Sequence, residues 1–254
     1  MNDLFDLSSK TALITGSSSG MGKAIALAMA QQGANVIISS FDEKELQKTQ
    51  LEFSEKGLKA IAIPCDMNRS EDMDRLVKES FKVFQKIDIL VNCVGIAPAG
   101  SFLDIDNELF EKTMGLNLQA SIYLSKKLIP QMQVQKDGVI IYLASIAGVR
   151  GNSKIGLYGI SKAGIIQLAK NLAVEFGPDN IRVNAISPGL IQTPFAASLI
   201  QNEAFMEKRL LQTPLRRVGE VHEIAGLAVL LASKAGAFIT GQNIIVDGGT
   251  TISD

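Results

Sequence analysis

Cysteine is scarce in this 254-residue chain: Cys65 and Cys93 are the only two, and each ends a separate apolar run. Two thiols cannot staple a chain of this length, which excludes a disulfide framework and is the usage of a reducing compartment, so a cytoplasmic location is expected. Histidine is scarcer still. His222 stands alone between Glu220 and Glu223 at a predicted helix start, and without a second His or a Cys nearby it offers no metal site. Neither charge sign dominates: 25 Lys and Arg are interspersed with 26 Asp and Glu for a net charge of -1. No basic face is therefore offered to nucleic acid or anionic lipid. No apolar run is long enough to span a bilayer; Ile224 to Leu231 is short and soon followed by Lys234. Met1 to Lys10 mixes acids and Ser with Leu4, Phe5 and Leu7, without the basic flank and apolar centre of a secretory leader. Linkers, repeats and low-complexity segments are missing as well, so residues 1–254 are expected to form one domain. What remains is a 46% apolar chain with ample material for a core and a small molecule as its expected partner.

Short apolar runs alternate with helical patterns from end to end. Thr11–Thr15, Asn35–Ser40, Lys59–Pro64, Ile87–Val91, Gly138–Ala144, Ile181–Ile186 and Asn243–Val246 are too brief for helices and are bounded by turn residues. Seven strands separated by helices imply an α/β fold with a parallel, doubly wound sheet covered on both faces. Directly after the first strand, Thr15-Gly16-Ser17-Ser18-Ser19-Gly20-Met21-Gly22 opens onto the helix-forming run Ala24–Ala30. A strand, a glycine turn and a helix N-terminus make a pyrophosphate site, because glycines admit the ligand to the backbone and the unpaired N–H groups favour its charge.

The second strand ends where such a fold presents a residue to the adenosine ribose. An acid there would repel a 2′-phosphate; this chain has Ser40 and then Phe41. Asp42 reads instead as the start of a capping box with Glu45. With no repelling carboxylate, NADP(H) is expected over NAD(H), although no Arg or Lys occupies the glycine turn or position 41. Asp66 and Asn92 end the next two strands on the ligand edge, where they are equally readable as turn formers. Ser70-Glu71-Asp72 is expected to cap the following helix. Asn117 lies within a helical region from Asp106 to Gln133, and its neighbours Leu116 and Leu118 leave its facing open.

Tyr158 and Lys162 sit one helical turn apart, so the ammonium can favour the phenolate of a group that ordinarily titrates near about pH 10. Spacing alone does not single them out, since Tyr123 is followed at the same interval by Lys127. Context does: Tyr158 follows an apolar strand ending at Ser145 and a small-residue loop, whereas Leu116, Ala120, Leu124 and Leu128 around Tyr123 suggest a packed helix. The least regular stretch, 190–218, carries Pro194, Pro214, Phe195 and Phe205 and is read as a substrate lid.

With these motifs assembled, the chain resembles the short-chain dehydrogenase/reductase family along its whole length. Thr15 to Gly22 matches that family's T-G-x3-G-x-G, and Asn92 and Gly95 fit its N-N-A-G segment, from which Cys93 and Val94 depart. Asn117, Ser145, Tyr158 and Lys162 fall on its Asn-Ser-Tyr-Lys catalytic set. The resemblance implies a single-domain Rossmann fold, with Gly16, Ser18, Ser19, Gly20, Met21, Gly22 and Ser40 holding the cofactor. Asp66 and Met67 would lie beside adenine, with Asn92 and Gly95 along the crevice and Pro188, Gly189, Ile191 and Thr193 near the nicotinamide. It further implies hydride transfer between NAD(P)(H) and a carbonyl or secondary alcohol. Tyr158 would move the proton, Ser145 hold the substrate oxygen, Lys162 lower the Tyr158 pKa and bind the nicotinamide ribose, and Asn117 hold a relay water. Within the family the sequence is most similar to 3-oxoacyl-carrier-protein reductases and their secondary-alcohol relatives. Gln131, Gln133 and Gln135, with Lys136 the only cation among them, favour a free small molecule over a carrier-bound one. A catalytically silent dinucleotide-binding or scaffold protein is the alternative of a different class, and an intact Ser145, Tyr158 and Lys162 argue against it. Family habit also implies a homotetramer, assembled through the helices of Asn117 and Tyr158 and the last strand.

Tyr158→Phe is expected to abolish turnover while cofactor binding, followed by fluorescence titration, stays nearly intact; Tyr123→Phe is expected to be close to silent. A comparable loss in Tyr123→Phe would show that the wrong phenol had been chosen.

Overall fold

The structure, a computed structural model, describes residues 4–253; the ends of the 1–254 domain, including Met1 of the stretch read for a leader, lie outside them. The elements follow in the order β1 (Thr11–Thr15), α1 (Gly20–Gln31), β2 (Asn35–Ser39), α2 (Glu43–Glu55), β3 (Ala60–Ala62), α3 (Ser70–Phe84) and β4 (Ile89–Asn92). Next come α4 (Asn107–Met114), α5 (Ala120–Gln135), β5 (Gly138–Leu143), α6 (Gly156–Phe176) and β6 (Ile181–Pro188). The chain closes with α7 (Ala197–Ile200), α8 (Glu203–Leu211), α9 (Val221–Ala232) and β7 (Asn243–Val246).

The seven strands form one parallel sheet in the order β3-β2-β1-β4-β5-β6-β7. Strand residues alternate between two cores. Ala12, Ile14, Val36, Ile38, Ile89 and Val91 face α1 and α9, while Leu13, Ile37, Leu90, Ile140 and Tyr142 face the side packed by α3, α5 and α6. Burial on both faces explains why these strands read as continuous apolar runs. The winding reverses between β1 and β4, which pair in parallel with Thr15 opposite Asn92. At such a switch point the connecting helices leave in opposite directions and open a crevice beyond the strands' carboxyl ends.

Several elements depart from expectation for local reasons. β3 is shorter than the run Lys59–Pro64, although Ile63 and Cys65 still donate to Ile38 and Ser40 carbonyls at 3.0 Å; Pro64 between them stands on the edge strand where no N–H is needed. Asp42 accepts from Glu45 N at 3.1 Å, the forward half of the expected box. Ser70 is not the cap of α3 but its first residue, and Asp72 turns back to accept from Asp66 N at 3.1 Å. The helix expected from Asp106 to Gln133 is interrupted by a π-turn over Gly115–Gln119. Stretch 190–218 is not irregular throughout, since it contains α7 and α8, and Phe205, expected on the surface, is half-buried beneath Arg209 at 5.5 Å. Among the described residues no helix is long and apolar enough to cross a membrane.

Candidate active site

The glycine turn is fixed by backbone contact. Gly16 has φ +64°, and a Cβ on Gly22 would lie 2.2 Å from the Gly16 carbonyl oxygen, so no side chain fits where the turn meets α1. Buried Ser17 ties the turn to β2: its hydroxyl donates to Ile14 O at 2.7 Å and accepts from Ser39 N at 2.8 Å. α2, α4 and α8 are capped by the side chains of Asp42, Asp106 and Asn202, but Ser19 at the start of α1 makes no such bond, and no acid lies in the first turn. Orphan N–H groups at a glycine-lined helix start suit an anion, so these residues fit the pyrophosphate of a dinucleotide. The turn also touches both walls of the crevice. A Cβ at Gly16 would meet Cys93 and Val94 at 3.3 Å, and one at Gly20 would meet Thr193 Cγ2 at 3.5 Å.

At the other end of the crevice the structure gathers Asn117, Ser145, Tyr158 and Lys162. Ser145 ends the link from β5 and caps a 3-10 turn, Ile146–Gly148, by accepting from Ala147 N at 3.1 Å. That turn lies directly on α6. A Cβ at Gly148 would stand 2.7 Å from Lys162 C, and one at Gly159 would stand 2.7 Å from Ala147 O. The two glycines permit this approach, which sets Ser145 beside Tyr158, near enough to bear on its phenol. Lys162 Nζ donates to Leu143 O at 2.7 Å and lies 5.7 Å from the Tyr158 ring centroid. A Cβ at Gly95 would be 3.1 Å from Asn117 Oδ1 and 3.3 Å from Lys162 Nζ, so the β4 exit, the π-turn and α6 converge on one point.

Asn117 is buried, which resolves its open facing: the π-turn adds a residue to the helical register and swings the side chain inward. Its amide is committed to protein, accepting from Ile96 N at 2.8 Å and donating to Ile96 O and Ser161 Oγ at 2.9 Å. Ser161 was not singled out from sequence. Its signal was a hydroxyl on the buried face of α6 between Tyr158 and Lys162, and it also donates to Tyr158 O at 2.7 Å. Thr15, likewise unnoticed, donates to Asn92 Oδ1 at 2.6 Å, and Asn92 Nδ2 donates to Ser121 Oγ at 2.9 Å. Asn92 is thus no mere turn former; its side chain bolts β1, β4 and α5 together.

The electrostatics differ from the sequence expectation at one point. Burial holds the Tyr158 phenol above its ordinary range, the Ser145 hydrogen bond opposes this, and Lys162 does not lower it. The reason is geometric and dielectric: the ammonium is held at the Leu143 carbonyl, and its own burial pushes Lys162 from 10.5 down to about 8. Cys93, beside Lys162, is pushed by burial up to about 12, as is Cys65. The other tyrosines are elsewhere. Tyr123 donates to Asp74 at 3.0 Å on the surface, and Tyr142 is buried against Ser125 at 2.5 Å.

The remaining candidates line the same sheet edge. Ser40 Oγ accepts from Ser18 Oγ at 3.0 Å. Asp66 accepts from Asn68 N and Nδ2 in a local turn, with Met67 buried beside it. Pro188 ends β6, Gly189 N donates to Val246 O at 2.9 Å, and Ile191 bridges Gly219, with Thr193 Oγ1 3.3 Å from Ile191 O. A cavity of about 90 Å³ lies not at Tyr158 but between α8 and the turn after β7, lined by Ile191, Arg209, Thr213, Asp247 and Thr250 among others.

A doubly wound parallel sheet, an uncapped glycine turn at its switch point and a Ser-Tyr-Lys cluster opposite define the class of NAD(P)-dependent oxidoreductases. Comparison with known proteins narrows this. Residues 16–251 match the family model described as enoyl-(acyl carrier protein) reductase. The chain is 35% identical over 244 residues to dehydrogenase/reductase SDR family member 4 of Oryctolagus cuniculus, covering 96% of this chain and 94% of that protein. Among solved structures it is similar to a gluconate 5-dehydrogenase from Burkholderia cenocepacia J2315 in complex with NADP and tartrate, with TM-score 0.95, 28% identity, and 100% and 99% of the two chains covered. A 7α-hydroxysteroid dehydrogenase complexed with NADH and 7-oxo glycochenodeoxycholic acid aligns with TM-score 0.95 and 34% identity over 98% and 97% of the chains. The chain belongs to the short-chain dehydrogenase/reductase family.

Because Lys162 is depressed in the folded state, it binds fewer protons than in the unfolded chain between pH 8 and 10.5, and its own contribution to stability rises with pH across that window, while the raised thiols of Cys65 and Cys93 act oppositely above about pH 9. In urea unfolding the difference between wild type and Lys162→Met, which share those thiols, should therefore grow by up to about 3 kcal/mol from pH 8 to 10.5. Superimposable pH profiles would show that Lys162 titrates as an ordinary lysine.

Proposed function

We propose that the protein interconverts a carbonyl and a secondary alcohol on a free small molecule, with Tyr158 as the proton-transfer group. The observation that carries this reading is the packing of the Ser145 turn on the first turns of α6, which gathers Ser145, Tyr158 and Lys162 at the end of the crevice that begins with the glycine turn. The nicotinamide, when bound, supplies or accepts the hydride. Ser145 holds the substrate oxygen and stabilises charge developing on it. Lys162 holds the nicotinamide ribose from its anchor on Leu143 O, and Asn117 acts as a positioning residue by fixing Ile96 and Ser161. A phenol kept protonated by burial is ready to donate, which favours carbonyl reduction at neutral pH.

NADP(H) is the proposed cofactor. Ser40 and Ser18 offer hydroxyls at the end of β2, and Asp42 is occupied with Glu45 N rather than presented as a ribose acceptor. The lid spans about residues 190–218, where α7 and α8 leave Phe195, Leu199 and Leu211 exposed. A free substrate is favoured over a carrier-bound one because Lys136, the lone cation at the end of α5, pairs with Asp179. Two free thiols support a cytoplasmic setting.

A panel of ketone, sugar, steroid and acyl substrates, assayed with NADPH and NADH side by side, tests the reading. Reduction is expected to prevail near pH 7 with NADPH, and alcohol oxidation to rise as the medium becomes alkaline. Cofactor binding without turnover of any carbonyl would refute it.

A homotetramer is proposed on exposed apolar side chains: Val134 and Val174 on α5 and α6, the fully exposed Phe238, and Ile245 on the edge strand β7. Light scattering should give four times the 27.2 kDa chain mass; a monomeric mass would reject it.

A further inference from the structure

Outside the catalytic cluster, one charged side chain, Arg209, carries a buried nitrogen without a partner. Arg209 on α8 lines the cavity of about 90 Å³ beside Ile191, its guanidinium stacked on Phe205 at 5.5 Å, and its Nη1 is buried with no hydrogen-bond acceptor. A donor in that condition costs free energy unless a ligand completes it. Arg150 is its neighbour: the two like charges act on one another, and burial together with Arg150 pulls Arg209 below the ordinary guanidinium range. Arg150 spends only one long contact, Nη1 to Thr250 O at 3.4 Å. Among the described residues neither guanidinium has an ion pair at salt-bridge distance.

The nearby carboxylates are otherwise engaged. Asp247, which favours the charged form of Arg209, accepts from Gly249 N at 2.8 Å and Thr251 N at 2.7 Å. Glu223 is held by Arg217 at 2.5 and 2.9 Å and by Glu220 N at 2.7 Å. The buried hydroxyls of Thr213 and Thr250, 3.0 Å apart, complete the polar lining. The cluster is tied to the reaction centre through the chain. Arg150 N donates to Ile146 O at 3.1 Å, within the turn that Ser145 caps, while Arg209 rides on the lid.

We propose that Arg209 and Arg150 form a carboxylate-recognition site, so that the carbonyl substrate of this enzyme carries an acid group. The assignment rests on the carbonyl-reductase reading above. Arg209 lines the cavity and Arg150 touches its lining residue Thr250, so the two guanidiniums suit a planar carboxylate, and an acid bound to both would draw the lid toward the Ser145 turn.

Calorimetric titration with tartrate, against neutral threitol of the same carbon skeleton, tests the site itself. Tartrate alone is expected to bind, and Arg209→Gln and Arg150→Gln, on separate elements, are each expected to weaken it about ten- to a hundredfold. Failure of tartrate to bind, or equal binding in both variants, overturns the site. Kinetics with pyruvate, acetoacetate and levulinate, against their methyl esters, test the substrate assignment. At least one acid should show a KM about tenfold or more below its ester, and Arg209→Gln should erase the difference through KM with kcat little changed. Equal kinetics for acids and esters, even with tartrate bound, would overturn the substrate assignment. Absence of turnover for every ketone with either cofactor would instead defeat the reductase reading, leaving the calorimetry to decide the site.

Discussion

The contact between the Ile146–Gly148 turn and the first turns of α6 is the constraint on which the site depends. Two chain segments meet there with no room for a Cβ at Gly148 or Gly159, and this approach sets Ser145 beside Tyr158. Everything else serves to hold that contact in place. β5 delivers Ser145, Lys162 pins α6 to Leu143 O, and Asn117 pins it again through Ser161 while gripping both backbone groups of Ile96. The cluster is therefore rigid before any ligand arrives, which is what preorganised catalysis requires.

Rigidity of this kind has an electrostatic side. The same burial that orders Tyr158 and Lys162 pushes the phenol up and the ammonium down, so both neutral forms are favoured relative to water. Proximity of a cation did not suffice to lower the phenol, because a lysine donating to a backbone carbonyl and lying over the ring face differs from one aimed at the oxygen. Proton donation is then the easier direction, and the bare pair is not yet set for proton abstraction.

Most of the scaffold was legible in the sequence because local signals agreed with the global fold. Continuous apolar strands, the glycine turn, and the bounds of α9 and β7 followed from run length and punctuation alone. The gathering of Asn117, Ser145, Tyr158 and Lys162 was legible too, since the strand and small-residue loop before Tyr158 set it apart from Tyr123, whose partner is Asp74 on the surface. What escaped were features that exist only across segments. The π-turn that buries Asn117 has no local mark, Ser161 gains meaning from a partner 44 residues away, and the bolt that Asn92 forms joins three separate elements. Arg209 carried no signal in the sequence; its buried, unmatched nitrogen appears only in the fold.

The position of β7 bears on how the molecule is made. It is the last strand in the chain and lies only against β6, where Val246 O receives the amide of Gly189 and Asp247 crowds the same glycine. During synthesis the segment from Pro188 to Thr193 stays without its backing until residues 243–247 leave the ribosome, and the flank of β6 is bare meanwhile. A nascent or truncated chain ending before residue 243 would thus be both inert and prone to pair through that open strand.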